Sequence, residues 1–151
     1  MDEEIRKQTD VVIRKIEERD YQSVAEIWRN VLDIPVGDAE LADTYGKMKE
    51  DDRYSTFVAE ADGKVVGLVT MVKVLAIGHP SGYTKVNGLG VLQEYRNMGI
   101  GNMLIQKAEE EAVSNGTRYL GLASGFKRDD AHRFYEHLGF VKTSYWFRKR
   151  V

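Results

Sequence analysis

The chain has 151 residues, of which 42% are hydrophobic and 30% charged; its formal net charge is -2 and it contains no cysteine. Those numbers suit one soluble domain that can bury roughly two thirds of its unfolded surface. They exclude disulfides, thiolate metal sites and a cysteine nucleophile. A pI near 6.0 gives no basic face for nucleic acid. No apolar run approaches the roughly 20 residues of a membrane span. The charged opening "MDEEIRKQTD" has no secretory apolar region, so the expected location is the cytoplasm.

A first strand is expected over residues 11–16, "VVIRKI", where apolar and charged residues partly alternate. Asp20 is placed to cap a helix whose stripe is Val24, Ile27, Trp28, Val31 and Leu32. Pro35 and Gly37 break it. A weaker helix over 38–49, with Leu41, Tyr45 and Met48 apolar, is expected near the surface or over a cleft. Two runs of β character flank Asp62-Gly63, the strongest short hairpin signal. "GHPSG", residues 78–82, reads as a loop, and "KVNGLGV", residues 85–91, as a strand broken by two glycines. A glycine inside a strand marks a bulge or a close backbone approach.

From Gly99 the pattern is helical, with Ile100, Met103, Leu104, Ala108 and Ala112 on one side; Gly116 is placed to end it. A short strand is expected over 119–123. Asp129 or Asp130 is expected to cap a helix carrying Phe134, Tyr135 and Leu138. Gly139 stops that helix, and a final strand is expected over 140–151. The order is β-α-α-β-β-β-α-β-α-β: one α/β domain over 1–151 with a mixed sheet.

"YRNMGIG", residues 95–101, stands where a strand gives way to a helix. The first turn of a helix leaves backbone N–H groups without partners, and the helix dipole adds partial positive charge there. Gly99 and Gly101 present no side chain, so phosphate oxygens can reach those N–H groups. No Gly-Lys-Ser/Thr follows, and the Rossmann glycine pattern is incomplete. On these two glycines alone, a tight turn with close helix–strand contact remains the alternative.

The wider segment "LGVLQEYRNMGIGNMLIQKAEEEA" resembles the Arg/Gln-x-x-Gly-x-Gly/Ala loop of the GCN5-related N-acetyltransferases, through Arg96, Gly99 and Gly101. "AHRFYEHLGF", residues 131–140, resembles the family's Ala-x-x-x-Tyr-x-x-x-Gly-Phe block. "VVIRKIEERDYQSVAEIW" is similar to its first strand and helix, and the element order agrees along the chain. The resemblance implies a mostly antiparallel sheet with splayed central strands and an N-acetyltransferase in which an amine attacks acetyl coenzyme A (acetyl-CoA) directly. It implies that the pyrophosphate lies on the N–H groups of Asn97, Met98, Gly99, Ile100, Gly101 and Asn102, beside Arg96. It implies that the pantetheine arm pairs with Leu89, Gly90 and Val91, where the family has a bulge, which gives the strand glycines a reason.

The resemblance also implies roles in the chemistry. A backbone N–H such as that of Val91 serves the oxyanion, and Tyr135 matches the family's general acid, a phenol that is neutral at pH 7. From the helix pattern alone, Tyr135 reads rather as a core tyrosine with its hydroxyl tied to backbone; the block match reverses that reading. Many relatives carry a glutamate base where this chain has Asn87, which takes no proton. The base is then His79, a carboxylate such as Asp33 or Glu26, or water; His79 reads otherwise as a loop residue. Arg128 stands where relatives often place asparagine. With Lys127 it either contacts coenzyme A phosphate or belongs to a solvated basic loop.

Trp28, Asp33, Asp38, Glu40, Asp43 and His79 fall on the expected acceptor side, and their carboxylates suit a cationic amine or are simply a solvated face. A small-molecule amine is the expected acceptor, with a protein amine open. No metal, nucleic acid or membrane is expected. The alternative function is a non-catalytic CoA-binding sensor or interaction module of the same fold. "SYWF", residues 144–147, offers either a homodimer contact through the last strand or core packing.

Overall fold

Asp62 and Gly63 both adopt positive φ, 53° and 72°. This is the conformation a two-residue hairpin turn requires. The turn joins β2 (Tyr54–Ala61) to β3 (Lys64–Ala76) in an antiparallel pair. The structure, a computed structural model, describes residues 10–151; the charged opening, residues 1–9, lies outside them. β1 (Val11–Lys15) lies outside β2, β4 (His79–Val91) follows β3, and β5 (Leu120–Leu122) closes the order β1-β2-β3-β4-β5. All pairs are antiparallel except β4 with β5.

Helices cover both faces. α1 (Tyr21–Asn30) and α2 (Asp38–Met48) lie on one side, where Val24 and Ile27 pack with Val58, Leu68 and Val65. α3 (Ile100–Ser114) lies on the other, where Ile100, Leu104 and Ala108 pack with Phe57, Val69, Met71 and Val86. α2 buries no residue, as its sparse apolar pattern implied. α3 ends on Gly116 with φ 73°, the left-handed residue expected there. The buried Thr117 hydroxyl then donates to the Ala112 carbonyl (2.9 Å) and pairs with that of Thr84 (2.7 Å). This ties the end of α3 to the β4–β5 seam.

Four expectations need correction. Residues 78–82 are not a loop: the turn occupies 77–78, and His79 already belongs to β4. The ladder runs on because Ala76 still pairs with His79. Asp20 does not cap α1 with its side chain. Its buried carboxylate accepts instead from both terminal nitrogens of Arg14 (2.7 and 2.9 Å) and from the Glu17 N–H (2.8 Å). α4 (Asp129–His137) starts from Arg128 without a side-chain cap, so neither Asp129 nor Asp130 caps it. The element order agrees from β1 to α4, but residues 140–151 form no strand. Alternating apolar residues make a strand only when a ladder partner is in reach, and among the described residues none pairs with this segment. No helix of the described residues is long and apolar enough to cross a membrane.

Candidate active site

β4 is thirteen residues long, yet β5 pairs with only three of them, at Thr84, Lys85 and Val86. From residue 87 onward the β5 side of β4 is open. Register shows what faces that opening. Thr70 pairs with Gly88 and Met71 with Val86, which leaves Asn87 as an extra, bulged residue. The irregularity was expected at Leu89, Gly90 and Val91; it lies at Asn87 instead.

A bulge reverses which residues turn their backbone to each side. Before it, the Thr84 N–H points to β5, donating to the Tyr119 carbonyl at 2.9 Å. After it, the Leu92 N–H donates to the Val66 carbonyl at 2.8 Å. Hydrogen-bonded and non-bonded pairs alternate in an antiparallel ladder, so Gly90 also bonds toward β3. Leu89 and Val91 therefore turn their N–H and C=O groups into the opening. Of the three residues expected to meet pantetheine, two present their backbone and Gly90 does not.

The strand glycines have a packing cause. A Cβ at Gly88 would run into the Trp28 ring, and one at Gly90 would stand 3.0 Å from Cγ2 of Ile27. α1 thus lies directly on the β4 backbone, and its Trp28 forms one wall beside the bulge.

The loop at the mouth of the opening has two glycines with two different causes. Asn97 (φ 61°) and Gly99 (φ 79°) are left-handed. They turn the chain into α3, where the amides of residues 100–102 have no hydrogen-bond partner among the described residues, and the first helical N–H with one is that of Met103, onto the Gly99 carbonyl at 3.0 Å. Gly101 has ordinary helical φ; a Cβ there would stand 3.1 Å from Cζ of Phe134. Its bareness admits α4. Ile100 is buried and packs into the core, while Arg96, Met98 and Asn102 are exposed.

Phe134 brings α4 to the start of α3, and Tyr135 follows it in the chain. The Tyr135 ring stands edge-on to Phe134 (5.4 Å between centroids) and Phe140 (5.6 Å). Burial raises its phenol above the ordinary value of 10.0, and the charge of Arg128 pulls it partly back. No hydrogen bond ties the hydroxyl to backbone among the described residues. Arg128 lies over Gly125, its Cδ 3.8 Å from where a Cβ would be.

His79 is not brought to this place. It is exposed at the β3–β4 turn, edge-on to Tyr83, eight residues before Asn87 and about 25 Å along an extended strand. Its assignment as base does not fit that position. Lys85 was missed. It alternates with Thr84 and Val86, whose side chains face α3, so it shares the α1 face with Trp28. Its ammonium lies 4.2 Å from the Trp146 ring centroid, and no carboxylate pairs with it among the described residues. A lone lysine in the apolar run "KVNGLGV" was the signal. No three His, Asp or Glu side chains gather as a metal site needs among the described residues.

A family model described as "Acetyltransferase (GNAT) family" matches residues 14–140. The chain belongs to that family. It is 30% identical over 131 residues to the aminoalkylphosphonate N-acetyltransferase of Salmonella typhimurium, covering 87% of this chain and 82% of the relative. An uncharacterized N-acetyltransferase of Bacillus subtilis is 46% identical over 57 residues, 37% of this chain and 40% of the relative. Among solved structures, a transcriptional regulator from Bacillus halodurans superposes with TM-score 0.84 at 22% identity, covering 94% of this chain and all of that one. An aminoglycoside N-acetyltransferase in complex with CoA superposes at 0.82 with 21% identity, covering 97% and 99%. These two show the same fold. As a GNAT N-acetyltransferase, the chain uses acetyl-CoA as acetyl donor and an amine as acceptor.

Proposed function

We propose that the opening between β4 and β5 is where the acetyl group passes to a small primary amine that also carries an anionic group. The observation that carries the site is the backbone of Leu89 and Val91 turned into an opening with the start of α3 at its mouth. The amides of residues 97–102 receive the pyrophosphate, with Arg96 and Arg128 adding positive charge. The Leu89 backbone pairs with the pantetheine arm, as an added strand would. The Val91 N–H donates to the carbonyl oxygen as it becomes an oxyanion.

In the reaction, the amine nitrogen bonds to the thioester carbon and loses a proton, and the C–S bond breaks. Tyr135 gives the leaving sulfur its proton, so that the products are an N-acetylated amine and the coenzyme A thiol. Asn87 supplies no base; the amine proton leaves through water.

Lys85 supports the anionic group. A half-buried cation without a counter-ion is a ready partner for a phosphonate or carboxylate. Two carboxylates that could have favoured a cationic acceptor are already paired, Asp38 with Arg29 (2.9 Å) and Asp43 with Lys47 (3.0 Å). The named substrate of the Salmonella relative, an aminoalkylphosphonate, has this chemistry.

The test is thiol release from acetyl-CoA with aminoalkylphosphonates, amino acids, polyamines and aminoglycosides. Anionic amines should turn over fastest. Lys85→Met should raise their KM about tenfold or more while leaving the KM for acetyl-CoA unchanged. Faster turnover of polyamines, or an unchanged KM in Lys85→Met, overturns the anionic-acceptor reading.

A further inference from the structure

Lys85 is placed by its sheet neighbours as well as by its own strand. It pairs with Val72 on β3 and with Gly121 on β5. Paired residues of neighbouring strands turn to the same face of a sheet. Lys85 and the bare Cα of Gly121 therefore lie side by side on the α1 face. A Cβ built at Gly121 would meet no atom within 4 Å, and its φ is not positive. Neither packing nor backbone conformation calls for a glycine there, unlike at Gly88, where the Trp28 ring presses on the backbone. The missing side chain leaves free space against one flank of Lys85, in the last rungs before β4 and β5 part.

The other flank is aromatic. The Lys85 ammonium stands 4.2 Å from the Trp146 ring centroid, within the roughly 6 Å at which a ring face attracts a cation. No ladder brings Trp146 there, because residues 141–151 form no backbone hydrogen bond among the described residues. The segment takes its direction from its root, where Gly139 is left-handed at φ 92° and Lys142 pairs with Glu136 at 3.2 Å. Trp146 stays 68% exposed, so little burial holds it in place.

A ring face and a carboxylate hold a lysine with different consequences. A carboxylate cancels its charge. A ring face orients the ammonium but carries no net charge, so the cation is fixed in place and still attracts an anion. Among the described residues no carboxylate supplies that anion to Lys85.

Resting on the reading of Lys85 as partner of the acceptor's anionic group, we infer that Trp146 and Gly121 are specificity-determining residues of the acceptor site. Trp146 positions the Lys85 ammonium, and the space over Gly121 seats the phosphonate or carboxylate that Lys85 binds. A tetrahedral phosphonate fills more of that space than a planar carboxylate, so the residue at position 121 sets which anion is preferred.

The experiment is steady-state acetyl transfer to three primary amines. Two are an aminopropylphosphonate and an aminobutyrate, each with its amine at the far end of the same three-carbon chain. The third is n-butylamine, which lacks the anion. Trp146 is largely exposed and Gly121 is open, so Trp146→Leu and Gly121→Val leave the core in place. Trp146→Leu should raise KM for both anionic amines about three- to fivefold, without raising KM for n-butylamine or acetyl-CoA. Trp146→Phe, which keeps a ring face, should restore most of the loss. Gly121→Val should raise KM for the phosphonate further than for the carboxylate. In the resting protein the ring current of Trp146 should shift the Lys85 ε-methylene protons upfield, and Trp146→Leu should abolish that shift.

Lys85→Met separates the two readings. If it leaves KM for the anionic amines unchanged, the anionic-acceptor reading falls and the roles of Trp146 and Gly121 fall with it. Three results overturn those roles alone: Lys85→Met raises these KM values while Trp146→Leu or Gly121→Val does not, Trp146→Leu raises KM for n-butylamine as much, or the methylene shift is absent.

Discussion

Gly99 and Gly101 stand one residue apart, and their substitution should separate their roles. Gly99 lies at φ 79° with no atom within 4 Å of an added Cβ, so Gly99→Ala meets backbone strain alone and should cost about 1 kcal/mol. Gly99→Asn should cost less, because asparagine tolerates the left-handed region. Gly101→Ala gains up to about 1 kcal/mol of helix propensity but presses on Phe134. That ring is half-buried and can yield, so stability should hold while acetyl-CoA binding weakens as α4 moves. Urea unfolding together with titration calorimetry separates these outcomes.

Tyr135 belongs to the same scale. Its phenol, raised by burial, stays protonated and able to donate throughout the neutral range. Tyr135→Phe should lower kcat by about tenfold or more with little change in coenzyme A affinity; an unchanged kcat removes it as the acid. An acid acts only while protonated, so its activity falls as pH rises through its pKa. Arg128 pulls that pKa down. At saturating acetyl-CoA, the alkaline limb of kcat should therefore move to higher pH in Arg128→Ala.

Among the elements, the join of β1, β2 and α1 rests on one buried carboxylate. Asp20 takes both forks of Arg14, whose Nε donates to Glu60 on β2 at 2.8 Å. The Arg14 bonds hold the Asp20 carboxyl below its ordinary 3.8. A lowered folded-state pKa stabilises the protein above the unfolded value, and that contribution is lost as pH falls through the folded value. Asp20→Asn should cost about 3 kcal/mol at neutral pH, and the loss should shrink well below pH 3.8. Urea unfolding of both proteins across the acid range measures it; equal stability at neutral pH sinks the assignment.

For the whole molecule, much was legible in local sequence because its causes are local. Asp62-Gly63 made the turn its φ preferences require, α1 and α3 followed their apolar stripes, and Gly116 and Gly139 ended helices in left-handed conformations. The loop through Arg96, Gly99 and Gly101, with the Tyr135 block, was enough to indicate the acetyltransferase family that the wider comparison established. What stayed hidden depended on which strand lies beside which. The bulge at Asn87 exists only in register with Thr70 and Met71, and only that register turns Leu89 and Val91 toward the opening. Trp28 over Gly88 and Phe134 over Gly101 are contacts between elements far apart in the chain. His79 read as a site residue until the ladder carried it to a distant turn, and residues 140–151 read as a strand that pairs with none of the described strands. The sequence by itself determined the elements, their order and the chemistry at their ends, since turn residues, caps and periodicity act over a few neighbours. Only the tertiary structure decided which backbone groups and side chains meet, since strand register and helix docking are set by long-range packing.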